Sequence, residues 1–248
     1  MLRVTRLAAA DLYAAPVCDR YVLPDSPSIE RVLAPEQRWW QFQPSFNVAP
    51  GRVVPVIRLH ERRSEGVMMR WGLVPAWAEG DPTRASLPLL RVSELGATHD
   101  TRQSWLAGQR CLLPAGGFYL WERTPAGYRQ PYFVRLQDSE VIAMAGLWDR
   151  SITPEDDVIE SCAILMVPVS EALASRHPGV GHVPALLGPE QQRVWLHGTP
   201  AQAKALLQVS VAAPWSTHPV SPRVNSLKYD DALLTDAVAA DAAMAAGR

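Results

Sequence analysis

Short runs rich in β-branched and aromatic residues, separated by turn-forming residues, dominate the hydrophobic pattern of the chain. These runs predict strands over residues 52–59, 67–75, 110–123, 130–136, 141–149 and 161–169. Longer mixed segments predict short helices over 26–40, 98–108, 189–198 and 200–208, and proline near the start of the last two suits a helical first turn. Residues 79–90 are expected to form a loop, and residues 216–227 an extended segment.

Strands outnumber helices in this pattern, and the helices flank the strand runs instead of alternating with them. That arrangement is typical of an α+β protein, not of a βαβ repeat. The 248 residues suffice for a single large domain. The alanine-rich tail from Asp230 onward is compatible with a terminal helix or with a frayed end.

Charge and cysteine content narrow the function classes. The net charge is −1, so contact with nucleic acid would need a local groove and not a basic surface. Lys204 and Lys228 are the two lysines among 24 basic residues; codon bias explains this, although the arginine fork also suits phosphate.

Three cysteines without a CxxC pair argue against a disulfide framework or a structural zinc site. No apolar run approaches the roughly 20 residues that span a bilayer. We expect a cytoplasmic, nucleoid-associated monomer without a cofactor.

Four short strings carry a family resemblance: VCDRY at 17–21, FNVAPG at 46–51, RWGLVPAW at 70–77 and RCLLPAGGFYLW at 110–121. Together, at this spacing, they resemble the SOS response-associated peptidase (SRAP) family. The resemblance implies an N-terminal extension over 1–17, a SRAP-like domain over 18–233 and a tail over 234–248. It also implies a mixed or antiparallel, strongly bent sheet or partial barrel with peripheral helices.

In that family the cysteine directly follows the initiator methionine, and its removal leaves an N-terminal amine beside the thiol. The resemblance implies that this pair forms a thiazolidine with the aldehyde of an abasic site in single-stranded DNA. Here Cys18 follows seventeen residues. We expect translation to start at a GTG codon for Val17, which would leave residues 1–16 untranslated. Proteolytic trimming, or a genuine extension that abolishes the chemistry, are the alternatives.

Several family positions are changed. In register with the family's Asn-Ala-Arg-x-Glu string, Arg91 is kept, whereas the asparagine is Leu89 and the glutamate is Ser93. Leu120 replaces the acidic residue of GFYEW, and leucine carries no proton. Glu122 shares a strand face with Leu120, so it is either a substitute or a solvated strand-end charge.

Histidine suits proton transfer near neutral pH. His177 is the catalytic candidate if a short insertion shifts the family's His-Asp-Arg-x-Pro string. Direct register instead places Val180 at the histidine and His182 at the arginine. A polar surface loop is the structural alternative for both histidines.

The DNA contacts follow from the same resemblance. Arg20 and Arg91 match arginines that bind phosphate, through charge-assisted bonds, and His182 is a further phosphate candidate. Residues that match the cleft where bases stack or splay are Asn47, Pro50, Trp71 and Trp77, although core packing is the common role of a tryptophan.

Two functions remain open. The first is a DNA-damage protein of the SOS response that captures abasic sites through Cys18, with peptidase activity limited to removal of its own methionine. The second is a degenerate paralogue that binds nucleic acid without covalent chemistry. No Ser/His/Asp arrangement is assignable from the sequence for a protease acting in trans.

Overall fold

The computed structural model describes residues 19–124, 127–207 and 214–239. Cys18, the extension over 1–17 and the end of the tail lie outside these residues. The helices in the described ranges are α1 Ser26–Leu33, α2 His99–Leu106, α3 Glu171–Ala174, α4 Pro189–His197 and α5 Pro200–Ala205. The strands are β1 Tyr21–Leu23, β2 Gln37–Arg38, β3 Ser45–Val48, β4 Val53–His60, β5 Arg63–Trp71, β6 Leu89–Arg91, β7 Arg110–Ala115, β8 Gly117–Arg123, β9 Arg129–Leu136, β10 Ile142–Ile152, β11 Val158–Pro168, β12 His182–Pro184, β13 Leu186–Leu187 and β14 Trp215–Pro219.

Five long strands close into a barrel. Strand β4 pairs antiparallel with β5 and β7, β7 pairs with β10, and β10 pairs with β11. The ring closes where β11 runs parallel to β5, with Ser161 opposite Arg70 and Cys162 opposite Trp71. Closure leaves no unpaired edge between these strands. The mixed, strongly bent sheet with peripheral helices confirms the predicted α+β class.

A second, antiparallel sheet in the order β14-β9-β8-β1-β3 covers the barrel. One face of this sheet contributes Phe118 and Leu120 to the main core, together with Tyr21 from β1. The opposite face holds a smaller apolar cluster around Tyr119 and Trp121. This alternation follows from the strand period of two. It places the two faces of β8 in different environments.

The helix predictions are confirmed for α2, α4 and α5, whose bounds fall within the predicted ranges. Helix α1 begins after Asp25, whose side chain accepts a hydrogen bond from the Ser28 N–H at 2.8 Å. The predicted helical continuation to residue 40 is wrong. The helix ends at Ala34, which adopts a left-handed conformation at φ 41°, and the following residues form β2 alongside β5.

Three further expectations need correction. Residues 110–123 form two strands, β7 and β8, because the chain passes from the barrel to the second sheet at Gly116. The predicted loop over 79–90 ends in β6, which pairs parallel to β11. The extended segment over 216–227 includes a 3₁₀ turn at Pro222–Asn225. No helix among the described residues is long and apolar enough to cross a membrane.

Candidate nucleic-acid interface and active site

Arg20 precedes β1, and its guanidinium is held in place. The Arg20 carbonyl accepts a hydrogen bond from the Tyr119 N–H at 3.0 Å, which extends the pairing of β1 with β8. The Nη1 atom of the Arg20 guanidinium donates to Asn47 Oδ1 at 2.9 Å and to the Val224 carbonyl at 3.1 Å. Both side-chain bonds use one nitrogen. The fixed guanidinium therefore keeps donors available for a phosphate.

Asn47 is 2% exposed, so its side chain offers no surface to a ligand. Its Nδ2 donates to the carbonyls of Val224, Ser226 and Tyr229. The amide thus organises the segment over residues 224–229 and orients Arg20. Any effect of Asn47 on DNA would act through these partners.

The two tryptophans selected from the sequence differ in exposure. Trp71 is fully buried, its indole N–H donates to the Pro88 carbonyl at 2.9 Å, and its ring meets Tyr21 edge-on at 5.1 Å. Because Trp71 is buried, it can affect the shape of a cleft only by supporting the residues that line it. Trp77 is 39% exposed, and Pro50 is exposed in the turn that precedes β4. These two residues remain the candidates for direct contact with bases.

Arg91 and His182 lie on β6 and β12, two short strands that both pair with β11. Strand β11 places Met166 opposite Arg91 on one side and opposite Pro184 of β12 on the other. Burial lowers the pKa of His182, and the Arg91 cation lowers it further, whereas Glu94 acts in the opposite direction. The neighbouring cation shows that the two residues share one electrostatic environment.

A cavity of about 300 Å³ lies beside His182, and His182, Ser93 and Lys204 are among its lining residues. Lys204 comes from α5 and was not selected from the sequence. A lone lysine on a predicted helix gives no signal of its position. The fold brings it to the same cavity as His182, one of the candidate phosphate contacts.

His177 is 2% exposed and forms a hydrogen bond through each ring nitrogen. Nδ1 lies 2.7 Å from Glu122 Oε1, and Nε2 lies 2.7 Å from Thr217 Oγ1. The Tyr132 ring packs edge-on at 5.0 Å. An ionised Glu122 carboxylate only accepts, so Nδ1–H donates to it, and Nε2 accepts from the Thr217 hydroxyl in a neutral ring or donates to it in an imidazolium. The result is a carboxylate–imidazole–hydroxyl chain.

This chain changes two interpretations from the sequence. Glu122 is not a solvated strand-end charge, because its carboxylate is paired with His177. His177 lies in the loop between α3 and β12, but its side chain is buried and not at the surface. Thr217 was missed, since it lies 40 residues from His177 and its hydroxyl has no sequence signature.

Three of the positions where the family resemblance implies polar catalytic groups are apolar and packed, whereas Ser93 is polar and lines the cavity beside His182. Leu120 and Val180 are buried, and Leu89 packs against the main core. Glu122 lies two residues after Leu120, and His177 lies three residues before Val180. The side chains of Glu122 and His177 bond to each other. A hydrogen-bonded carboxylate and imidazole are therefore present close in sequence to Leu120 and Val180.

Asp19, which follows Cys18 in the sequence, is the first of the described residues. Burial raises the pKa of the Asp19 carboxyl, and the neighbouring Arg20 and Arg129 cations oppose that shift. Cys111 and Cys162 are fully buried, and burial raises the pKa of both thiols. A buried thiol with a raised pKa is a poor nucleophile. Within the described residues, no cysteine is suited to covalent chemistry.

Comparison with known proteins assigns the family. The profile of the SOS response associated peptidase (SRAP) family matches residues 17–227, and the chain belongs to this family. Abasic site processing protein YoqW of Bacillus subtilis is 29% identical over 191 residues, which cover 76% of this chain and 84% of that protein. Abasic site processing protein HMCES of Mus musculus is 31% identical over 229 residues, which cover 75% of this chain and 63% of that protein.

Solved structures share the fold. A Bordetella bronchiseptica protein aligns with a TM-score of 0.71 and 19% identity, over 82% of this chain and 100% of that chain. A Bacteroides thetaiotaomicron protein aligns with a TM-score of 0.67 and 18% identity, over 76% of this chain and 82% of that chain. At such identities the likeness concerns the architecture alone.

Proposed function

We propose that this protein recognises abasic sites in single-stranded DNA and forms a covalent adduct with them when Cys18 is the first residue of the chain. Membership of the SRAP family and the names of YoqW and HMCES, both abasic site processing proteins, support recognition of abasic sites in DNA. The observation that carries the proposal is the fixed guanidinium of Arg20, two residues after Cys18.

The chemistry requires the amine and the thiol of the same residue. The amine, with an unperturbed pKa near 8, attacks the aldehyde carbon of the ring-opened sugar. Loss of one water gives an imine, and the thiolate then adds to the same carbon and closes a five-membered thiazolidine. An internal cysteine lacks the amine and forms only a readily reversed hemithioacetal. Initiation at Val17, or trimming to Cys18, is therefore part of the proposal.

In this proposal basic residues bind the DNA strand, and polar residues transfer protons. Arg20 and Arg91 bind phosphates that flank the abasic site through charge-assisted bonds, which are strong. His182, whose pKa is lowered by burial and by Arg91, adds the N–H of a neutral ring as a further donor to phosphate. The Glu122–His177–Thr217 chain supplies the proton transfer that imine formation and dehydration need, because Leu120 cannot. His177 acts through Thr217 and Glu122, since its own ring is buried.

A second function is favoured by the packing around Leu120 and Val180. Both side chains are buried, so the space that polar catalytic groups would occupy is filled with hydrocarbon. On this alternative the protein binds single-stranded DNA without forming a covalent bond. The two functions share the arginines and differ only in the reactivity of Cys18.

One assay separates them. Protein that begins at Cys18 is incubated with single-stranded DNA carrying one abasic site, and we expect a heat-stable adduct on a denaturing gel. Cys18→Ser and the chain with an intact Met1 should give no such band. In the same assay Glu122→Gln should slow adduct formation by about 10² or more, whereas Glu140→Gln, in an exposed ion pair with Arg31, should not. Unchanged DNA binding without adduct would establish the non-covalent function.

A further inference from the structure

The carboxyl of Asp19 belongs to the residue that directly follows Cys18, and it is partly buried. Cα atoms of consecutive residues are about 3.8 Å apart, so the thiol of residue 18 is within a side chain's length of residue 19. Burial raises the pKa of the Asp19 carboxyl, against the opposing effect of the Arg20 and Arg129 cations. A carboxylate with a raised pKa is a stronger base than one in free solution, which suits it to accept a proton from a thiol.

The pairing of β1 with β8 indicates which way the Asp19 side chain faces. Tyr21 lies opposite Phe118, and the Arg20 carbonyl extends the pairing by one residue through its hydrogen bond with β8. In the same register Asp19 lies opposite Leu120. Side chains directly opposite each other in an antiparallel pair share a face, and Tyr21, Phe118 and Leu120 all contribute to the main core. Asp19 therefore lies on the face of the second sheet that Leu120 occupies.

The pair of Glu122 and His177 lies on the other side of Leu120, on the same face of this sheet. Leu120 lies opposite Tyr132 of β9, whose ring packs edge-on against His177 at 5.0 Å. Glu122 follows Leu120 by two residues, so its side chain shares the face. Because neighbouring strands are about 4.8 Å apart, the carboxyl of Asp19 and this pair flank a single leucine. Groups able to transfer protons therefore occupy two places on this face, and Asp19 is the one joined to the reacting residue.

We propose that Asp19 is a catalytic residue for closure of the thiazolidine, in which its carboxylate carries the proton of the Cys18 thiol to the imine nitrogen. The inference rests on the proposed function, in which the imine forms first. It gives the last step a base of its own, because the ring of His177 is 2% exposed and acts only through its partners.

The proton carried by Asp19 balances the ring closure. The carboxylate accepts the proton of the thiol, and the resulting thiolate adds to the imine carbon. A C–S bond forms while the C=N double bond becomes a C–N single bond. The protonated carboxyl then gives its proton to the nitrogen, which becomes the N–H of the ring. No other reactant is consumed, and Asp19 ends the step ionised, as it began.

The test compares the wild-type chain with Asp19→Asn, each cut by a protease so that Cys18 is the first residue, on single-stranded DNA with one abasic site. Heat-stable adduct is followed over time on denaturing gels, with and without cyanoborohydride, which reduces the open imine to a stable amine. Without reductant, the variant should form adduct about 10²-fold more slowly. With reductant, its crosslinking should approach the wild-type rate, because the imine still forms. A purely structural role would slow both reactions.

A second variant keeps the test decisive if Asp19→Asn fails to fold. In Asp19→Gly, added formate should restore part of the lost rate in proportion to its concentration, because it supplies a carboxylate where the side chain is missing. Formate should leave the rate of the wild-type chain unchanged. Rescue by a small carboxylate reports proton transfer, which a lost packing contact would not reproduce.

Asp138→Asn is the matched control, because Asp138 is an exposed carboxylate in the turn after β9; its adduct formation should equal that of the wild-type chain. The inference is overturned if Asp19→Asn closes the ring at the wild-type rate, if reductant leaves the variant as slow as before, or if formate does not accelerate Asp19→Gly. Absence of any adduct with the wild-type chain that begins at Cys18 would instead overturn the proposed function.

Discussion

At the scale of single residues, buried polar side chains account for much of the site. Asn47 and His177 are each about 2% exposed. The polar atoms of each side chain form hydrogen bonds with partners far away in the sequence. Buried polar groups are costly unless they are hydrogen-bonded. Their positions therefore depend on several strands at once, and they in turn orient the exposed groups that would meet DNA.

The role of Asn47 leads to a stability prediction. Asn47→Ala removes the Nδ2 donor that the carbonyls of Val224, Ser226 and Tyr229 share. The Val224 carbonyl keeps Arg20 Nη1 and the Ser226 carbonyl keeps the Tyr229 N–H, so among the described residues the Tyr229 carbonyl is the one left without a donor. We expect the free energy of unfolding to fall by about 2–4 kcal/mol, as for other losses of a buried hydrogen-bond network. Urea denaturation measures the change. Asn225→Ala is the control, because Asn225 is exposed and accepts one bond from Trp121; an equal loss in both variants would contradict the role of Asn47.

Some of these residues could be selected from the sequence and some could not. Arg20, Asn47 and Arg91 occur in recognisable strings, so motif spacing was sufficient to find them. Thr217 and Lys204 occur in no such string, and their relevance comes from contact with His177 and from the cavity beside His182. Side-chain proximity across 40 residues is a tertiary property, and local pattern carries no trace of it.

At the scale of elements, long strands and capped helices were predictable because their signals are local. The barrel strands β4, β10 and β11 contain continuous apolar runs. Thr199 caps the N-terminus of α5, and its side chain accepts a hydrogen bond from the Gln202 N–H. Short strands such as β1 and β6 were not predicted. Three residues carry too little periodicity, and they are extended because a neighbouring strand already supplies the hydrogen-bond partners.

Strand β10 offers a prediction about packing inside the barrel. A Cβ added at Gly146 would lie 2.8 Å from Cys111 Sγ and 3.0 Å from the Ala163 carbonyl, and closer still to Leu113. Gly146→Ala should therefore lower the free energy of unfolding by about 1–3 kcal/mol or more through overpacking. Thermal denaturation is the measurement.

The matched control for Gly146→Ala is Gly181→Ala, since nothing lies within 4 Å of a Cβ built at Gly181. Its melting temperature should stay within a few degrees of the wild type, because surface substitutions of this kind change stability by about 0.5 kcal/mol or less. A destabilisation of Gly181→Ala that matched Gly146→Ala would argue against overpacking as the cause.

At the scale of the whole molecule, closure of the barrel decides which charges meet. Arg58 on β4 bonds to Glu65 on β5 at 2.8 Å and to Glu160 on β11 at 2.6 Å, and its guanidinium lies 4.6 Å from the Trp148 ring centroid. This network joins three strands of the ring. Arginines elsewhere on the molecule, such as Arg20 and Arg91, remain available for an anionic strand despite the net charge of −1.

The salt dependence of DNA binding tests whether single arginines such as Arg91 contact phosphates of the DNA strand. Arg91→Ala should weaken binding to single-stranded DNA and reduce the slope of log K against log salt by about 0.7, the value for one single-strand phosphate contact. Titrations between low and moderate salt measure the slope. Arg135→Ala, at an exposed position on β9, should leave it unchanged. A wild-type slope in Arg91→Ala would exclude Arg91 as a phosphate contact.

The sequence alone determined the family, the α+β class, the main strands and the identity of Arg20, Arg91 and Cys18 as candidates, because each of these depends on local strings or on composition. The tertiary structure decided that β11 closes against β5, that Glu122 pairs with His177, and that Trp71 is buried while Trp77 borders a cavity. The physical reason is that burial and pairing depend on which distant segments share a strand edge or a sheet face. Those neighbours exist only after the ring of strands has closed.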